Sequence, residues 1–149
     1  MAKLSQRQIV AEIAPGTIGV DPANLPPFTD YWSSVTGGEI TAAVEKVYDG
    51  GQKFPDTLCA SAEVGDVTVT RNYDPVKDAD SISKVRFLVG QAYYNVNIFE
   101  TDCDLKVPES SQARAYTNAL LVGLTEPDGD ASSGAPATFS MTFSIGKLA

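Results

Sequence analysis

Histidine is absent from this sequence. The side chain best suited to moving a proton near neutral pH is therefore missing, and so is the commonest metal ligand. A Ser-His-Asp triad, a Cys-His dyad and any histidine-built zinc or iron site are excluded. Acid–base chemistry would fall to carboxylates, lysine or tyrosine. Cysteine is scarce: Cys59 and Cys103 lie far apart without CxxC spacing, and zinc held by thiolates alone needs four. They are expected as reduced, half-buried small apolar residues. Basic residues are outnumbered, with 11 Lys and Arg against 19 Asp and Glu and a formal charge of −8. An acidic chain repels phosphate, so sequence-specific nucleic-acid binding is not expected. No apolar run approaches the ~20 residues that span a bilayer. The opening residues, Met1 to Gln8, lack the apolar core of a signal peptide, so synthesis in the cytoplasm is the expectation.

What is present reads as β structure. The chain has 149 residues, 43% hydrophobic and 20% charged, so its polar surface rests heavily on Ser, Thr, Asn and Gln. Residues 5–13 alternate weakly and fit either a short strand or a helical turn, ended by Pro15-Gly16. Residues 17–29 carry Gly19, Pro22, Pro26 and Pro27 and read as an extended arm or loop. Trp32 is the one tryptophan and is expected as an anchor in the core or at an interface. Gly37-Gly38 reads as a bend. Alternation then predicts strands over 39–47, 63–71, 93–101, 113–125 and 138–145. In the first, Ile40, Ala42 and Val44 oppose Glu39, Thr41, Ala43 and Glu45; in the second, Val67 and Val69 oppose Asp66, Thr68 and Thr70. The strand over 113–125 is apolar on both faces and is expected to be covered on both. Asp49-Gly50 is the strongest turn signal in the loop from Tyr48 to Pro55. A helix is predicted over 76–89, with Pro75 in its first turn, Asp78 and Asp80 complementing its dipole, and Gly90 as its stop. The fold class is mainly β, a sandwich or rolled sheet with one flanking helix and long loops.

Candidate chemistry is thin. Asp128-Gly129-Asp130 has a superficial calcium-loop look but lacks the further ligands and the distal bidentate Glu. Asp102-Cys103-Asp104 sets two carboxylates on one strand end without a basic partner pattern. Gly37-Gly38 and Gly50-Gly51 lack the lysine and the spacing of phosphate-binding loops. No catalytic residue, metal site or cofactor is expected, and a small carboxylate-dependent hydrolase is the weakest of the readings.

The stretch from Tyr31 to Asp74 carries a pattern of its own. It runs Trp32-Ser-Ser-Val-Thr-Gly-Gly-Glu-Ile40, then Glu45-Lys-Val-Tyr-Asp-Gly-Gly-Gln-Lys53, then Phe54-Pro55, and Gly65-Asp-Val-Thr-Val-Thr-Arg71. It resembles the tail tube (major tail) proteins of tailed phages and related injection machines. The resemblance covers about a third of the chain, and the helix and last strand agree with it in order only. It implies one tail-tube domain over 1–149, with an N-terminal arm over 1–30 and a β core over 31–149. It implies hexameric rings stacked into a tube whose strands join into one β-barrel around a lumen that carries DNA without specific binding. Glu39, Thr41, Glu45, Asp66, Thr68 and Thr70 would line that lumen. Tyr48, Asp49, Gly50, Gly51, Lys53, Phe54 and Trp32 would contact neighbouring copies or rings. The implied partners are the chain itself, a tape measure, a terminator and an initiator or baseplate, with no membrane. The implied location is the virion tail, and the host cytoplasm during assembly. The alternative is a β-sandwich binding, baseplate or head-completion module.

Overall fold

A computed structural model describes residues 3–4, 6–19, 25–26, 28, 31–101, 104 and 114–146. The weak opening pattern resolves into both of its readings: a 3-10 turn over Gln6–Gln8, then strand β1, Ile9–Pro15. The remaining strands are β2 (Ser34–Gly37), β3 (Ile40–Ala42), β4 (Lys46–Val47), β5 (Asp56–Thr57), β6 (Ala62–Val64), β7 (Val67–Asn72), β8 (Tyr93–Glu100), β9 (Arg114–Thr125) and β10 (Thr138–Ser144), with helix α1 (Pro75–Val85) between β7 and β8. Six strands form one antiparallel sheet in the order β1-β8-β9-β10-β7-β2.

The sheet is rolled. It curls into a half-barrel until its two outer strands approach, and an isolated two-way bridge ties β1 to Trp32, just ahead of β2. Ala11 N donates to Trp32 O at 3.1 Å and Trp32 N donates to Ala11 O at 2.8 Å. The period-two patterns place the core inside this curl. Val67 and Val69 of β7, Tyr94, Val96 and Ile98 of β8, and Phe139, Met141 and Phe143 of β10 all point inward and are buried. Their neighbours Thr68, Asn95, Asn97, Ser140 and Thr142 alternate outward and stay half-buried.

Strand β9 departs from its expectation of two covered faces. Its register shifts against β8 between Tyr94 and Val96 and against β10 between Thr142 and Phe143. Asn118 takes a left-handed φ of 50° in the same stretch, held by Asn95 Oδ1, which accepts its backbone N–H at 2.9 Å. These irregularities offset the alternation. Tyr116, Ala119 and Leu121 face the core, while Leu120 is half-buried and Val122 is exposed.

Helix α1 begins one residue earlier than predicted and ends four earlier. Asp74 is its N-cap, its side chain accepting from Val76 N at 3.0 Å, and Pro75 holds the first helical position, where the missing N–H costs nothing. Ile82 and Val85 enter the core. Leu88 and Val89 keep the helical spacing and pack on the core from a turn, in which Leu88 N donates to Val85 O and Gly90 N to Leu121 O. The backbone leaves the helix there because it pairs with β9 instead.

Trp32 is fully buried. Its ring meets Phe139 edge-on at 5.0 Å between centroids and Phe28 at 5.9 Å. The Arg71 guanidinium stacks on it, 4.6 Å from the ring centroid, and pairs with Asp78 of α1. Asp78 is thus a buried counter-ion as well as a first-turn acid that accepts the Asp74 N–H at 3.2 Å. A sealed ring has no surface to offer a neighbour, so Trp32 belongs to the core and not to a contact between copies.

Candidate assembly surface

Between β2 and β7 the chain leaves the sheet as a long two-stranded arm. The predicted strand over 39–47 is broken into β3 and β4, and the one over 63–71 into β6 and β7. β3 pairs with β6 and β4 with β5, while Leu58 N donates to Glu45 O at 2.8 Å across the gap between the two ladders. The arm meets the sheet at Gly37 and Gly38, with φ of 89° and 79°, where Gly38 N donates to Asp66 O at 3.2 Å and Gly65 N to Glu39 O at 2.8 Å. The predicted bend at Gly37-Gly38 is therefore a left-handed pair of residues that only glycine adopts without strain.

The tip is a tight turn. Gln52 N donates to Asp49 O at 3.0 Å, and Asp49 N donates to Gln52 Oε1 at 2.9 Å. Gly51, at φ 86°, holds the third position, the left-handed one of a type II turn. Lys53 Nζ lies 5.7 Å from the Phe54 ring centroid.

Every residue from 39 to 63 is exposed except Pro55, which is half-buried. Large apolar side chains stand among them: Ile40, Val44, Val47, Tyr48, Phe54 and Leu58, with Phe54 74% and Tyr48 65% exposed. A lone two-stranded hairpin is marginal in water and has no core beneath it. Covering these side chains would contribute on the order of 10 kcal/mol per arm, at about 1.5–3 kcal/mol for each large residue fully buried. That is comparable to the ~4–15 kcal/mol that association costs in lost freedom. Exposed apolar surface of this extent marks an interaction site.

The residues singled out from sequence fall in two places. Tyr48, Asp49, Gly50, Gly51, Lys53 and Phe54 come together at the tip. Glu39, Thr41 and Glu45 lie along the arm, Asp66 at its root, and Thr68 and Thr70 on the outer face of β7. Those two threonines belong to a wider array whose pairing the sequence does not show. Thr70 stands between Ser34 and Ser140, and Thr68 between Thr36 and Thr142, across β2, β7 and β10. The Thr68 and Thr142 hydroxyls lie 3.2 Å apart. No charged side chain interrupts these rows. The signal was in the sequence, since β10 alternates Ser and Thr as β7 does, but only the pairing makes one surface of them.

The remaining candidates are local. Asp130 Oδ1 accepts from Ser132 N at 3.0 Å and from Ser132 Oγ at 2.7 Å, and these bonds hold its carboxyl below the usual carboxylate range. Among the described residues no three His, Cys, Asp or Glu side chains converge as metal ligands do. Asp102 and Cys103 lie outside the described residues, as does part of the expected N-terminal arm. Cys59 was expected half-buried and is an exposed free thiol, because it sits on the arm, which has no interior.

No family model matches the chain, and no curated protein matches it. Solved structures do. One is described as the sheath/tube terminator of PVC, an extracellular contractile injection system, in the extended state. It aligns with a TM-score of 0.73 at 16% identity, covering 100% of this chain and 96% of that one. The cap that terminates the tube of the anti-feeding prophage aligns at 0.72 and 16% identity, covering 100% and 91%. A chain of the PVC sheath-tube complex aligns at 0.70 and 16%, covering 99% and 90%. This chain has the fold of contractile-injection-system proteins. The likeness runs the full length of the chain.

Proposed function

We propose that this chain is a structural, non-catalytic subunit that assembles with copies of itself into a tube, and that the arm holds one copy to the next. The observation that carries the reading is the arm: a two-stranded ribbon lined with exposed apolar side chains over no core. The full-length likeness of fold to proteins of tube-bearing injection machines supports it. In the finer picture six copies close a ring, rings stack, and terminator, baseplate and tape-measure proteins are the partners of the assembled tail. The Ser/Thr face of β2, β7 and β10, with Glu39 and Thr41, lines the lumen. An uncharged-to-acidic lining gives DNA nothing to bind. The tube then belongs to a tail particle built in the host cytoplasm.

Sedimentation velocity over rising concentration tests the arm's part. The wild-type chain is expected to form large multimers, and Tyr48→Ser/Phe54→Ser to remain monomeric with its fold intact. Equal multimerisation of both would remove the arm from the account. A chain that binds the ends of preformed tubes and never extends them would belong with the terminators. Thr68→Lys tests the lining: tubes should form but retard DNA, and unhindered passage would place Thr68 off the lumen.

A further inference from the structure

Pairing runs in unbroken register from the sheet into the arm. Ser34 faces Thr70, Thr36 faces Thr68, Ile40 faces Val64 and Ala42 faces Ala62, each step along one strand matched by a step back along the other. The polarity of the pattern does invert. In the sheet the even-numbered set, Ser34, Thr36, Thr68 and Thr70, is polar, and its alternate, Val35, Val67 and Val69, is apolar. In the arm the even-numbered set, Ile40, Ala42, Ala62 and Val64, is apolar, and its alternate, Glu39, Thr41 and Glu63, is polar. In a regular ribbon a one-step change of phase moves every side chain to the other face. The arm's apolar face would then share a side with the hydroxyl rows.

Two contacts place it on the other side. A Cβ built on Gly38, a member of the even set, would meet Tyr116 Oη at 2.8 Å and Val67 Cγ2 at 3.2 Å, and both belong to core side chains. Val64, also of the even set, is half-buried against the core cluster. The ribbon has turned over between Gly37 and Val64. Two successive left-handed residues are the feature that turns it, and a Cβ on Gly37 would lie 1.9 Å from Asp66 O. We infer that Gly37 and Gly38 are the positioning residues of assembly. They roll the arm through half a turn, so that Glu39, Thr41 and Glu63 continue the hydroxyl face while Ile40, Ala42 and Ala62 are offered to a second copy of this chain. The sense of the roll rests on the contacts alone; the role in assembly rests on the tube reading.

Spin-label distances test the roll directly. In a Cys59→Ser/Cys103→Ser background carrying Ser140→Cys, a second label at Thr41→Cys should lie closer to the hydroxyl face than one at Ile40→Cys. The reverse order would overturn the proposal. Gly38→Asn/Tyr116→Phe, with room for a Cβ and a residue that tolerates left-handed φ, should keep that order and still assemble. Gly38→Ala/Tyr116→Phe should lose the order and the multimers while the core melts as in wild type. Should that alanine variant fail to fold, the label order in the otherwise wild-type arm decides the proposal. Normal multimers from a folded alanine variant would overturn the role in assembly and leave the tube reading standing. The predicted label order in a wild-type chain that never multimerises would uphold the roll and sink the tube.

Discussion

The Arg71–Asp78 pair, stacked on Trp32 and almost free of solvent, ties β7, α1 and the junction between β1 and β2 into one core. Removing one partner of such a pair takes a buried counter-ion away from the other. Asp78→Ala is therefore expected to cost about 3–5 kcal/mol in urea denaturation. Arg71→Met/Asp78→Leu should cost less than either single change, because both buried charges go together. Tyr94 carries a second residue-scale prediction. Its hydroxyl donates to Pro26 O at 3.2 Å, and burial pushes its phenol well above the ordinary range. The folded form therefore keeps its proton where the unfolded form loses it. Tyr94 contributes stability that is full below about pH 10 and declines as pH rises above it. An ultraviolet titration should show Tyr94 ionising only with unfolding, and Tyr94→Phe should flatten the alkaline loss. Asp130 is the opposite case: Ser132→Ala should raise its carboxyl toward the usual value in an NMR titration. Little of this was legible beforehand. Trp32 was readable as an anchor, but its partners lie on β1, β7 and β10, and no local pattern announces a contact across 39 residues of chain.

At the scale of elements, strands with strict alternation were legible because burial on one face is the physical cause of alternation. β8 and β10 match their patterns nearly residue for residue. Strand β9 did not, since its run Ala119 to Leu124 is apolar at consecutive positions and the bulges, which depend on its neighbours, decide which side chains go in. The arm was legible in its residues and not in its shape. Glu39 to Val47 alternates as a strand does, yet the ribbon is broken at 43–45 and lies off the sheet. Replacing residues 40–64 by a two-residue Asn-Gly turn should leave the core's melting temperature within a few degrees of wild type, because no member of the buried core lies there and only Val64 packs against it. The same replacement should abolish multimers. A large loss of stability would show that the arm serves the core after all. At the helix start, Asp74→Ala should cost ~1 kcal/mol through loss of the cap.

For the whole molecule, the curl of the sheet leaves two kinds of surface unaccounted for by the monomer. One is the uncharged hydroxyl face of β2, β7 and β10; the other is the apolar arm that continues β2 and β7. An assembly that buries the arm and opens the hydroxyl face to a channel uses both. The absence of histidine and the acidic balance argued against chemistry and against tight nucleic-acid binding. The register and the exposed arm now supply the positive case. Electron microscopy of the concentrated, purified chain tests that case most directly. Rings or hollow tubes of uniform width are predicted, with the tip around Phe54 buried against a neighbouring copy in the averaged density. Monomers at every concentration, with and without preformed tube ends as seeds, or tubes in which the arm hangs free in solvent, would contradict it.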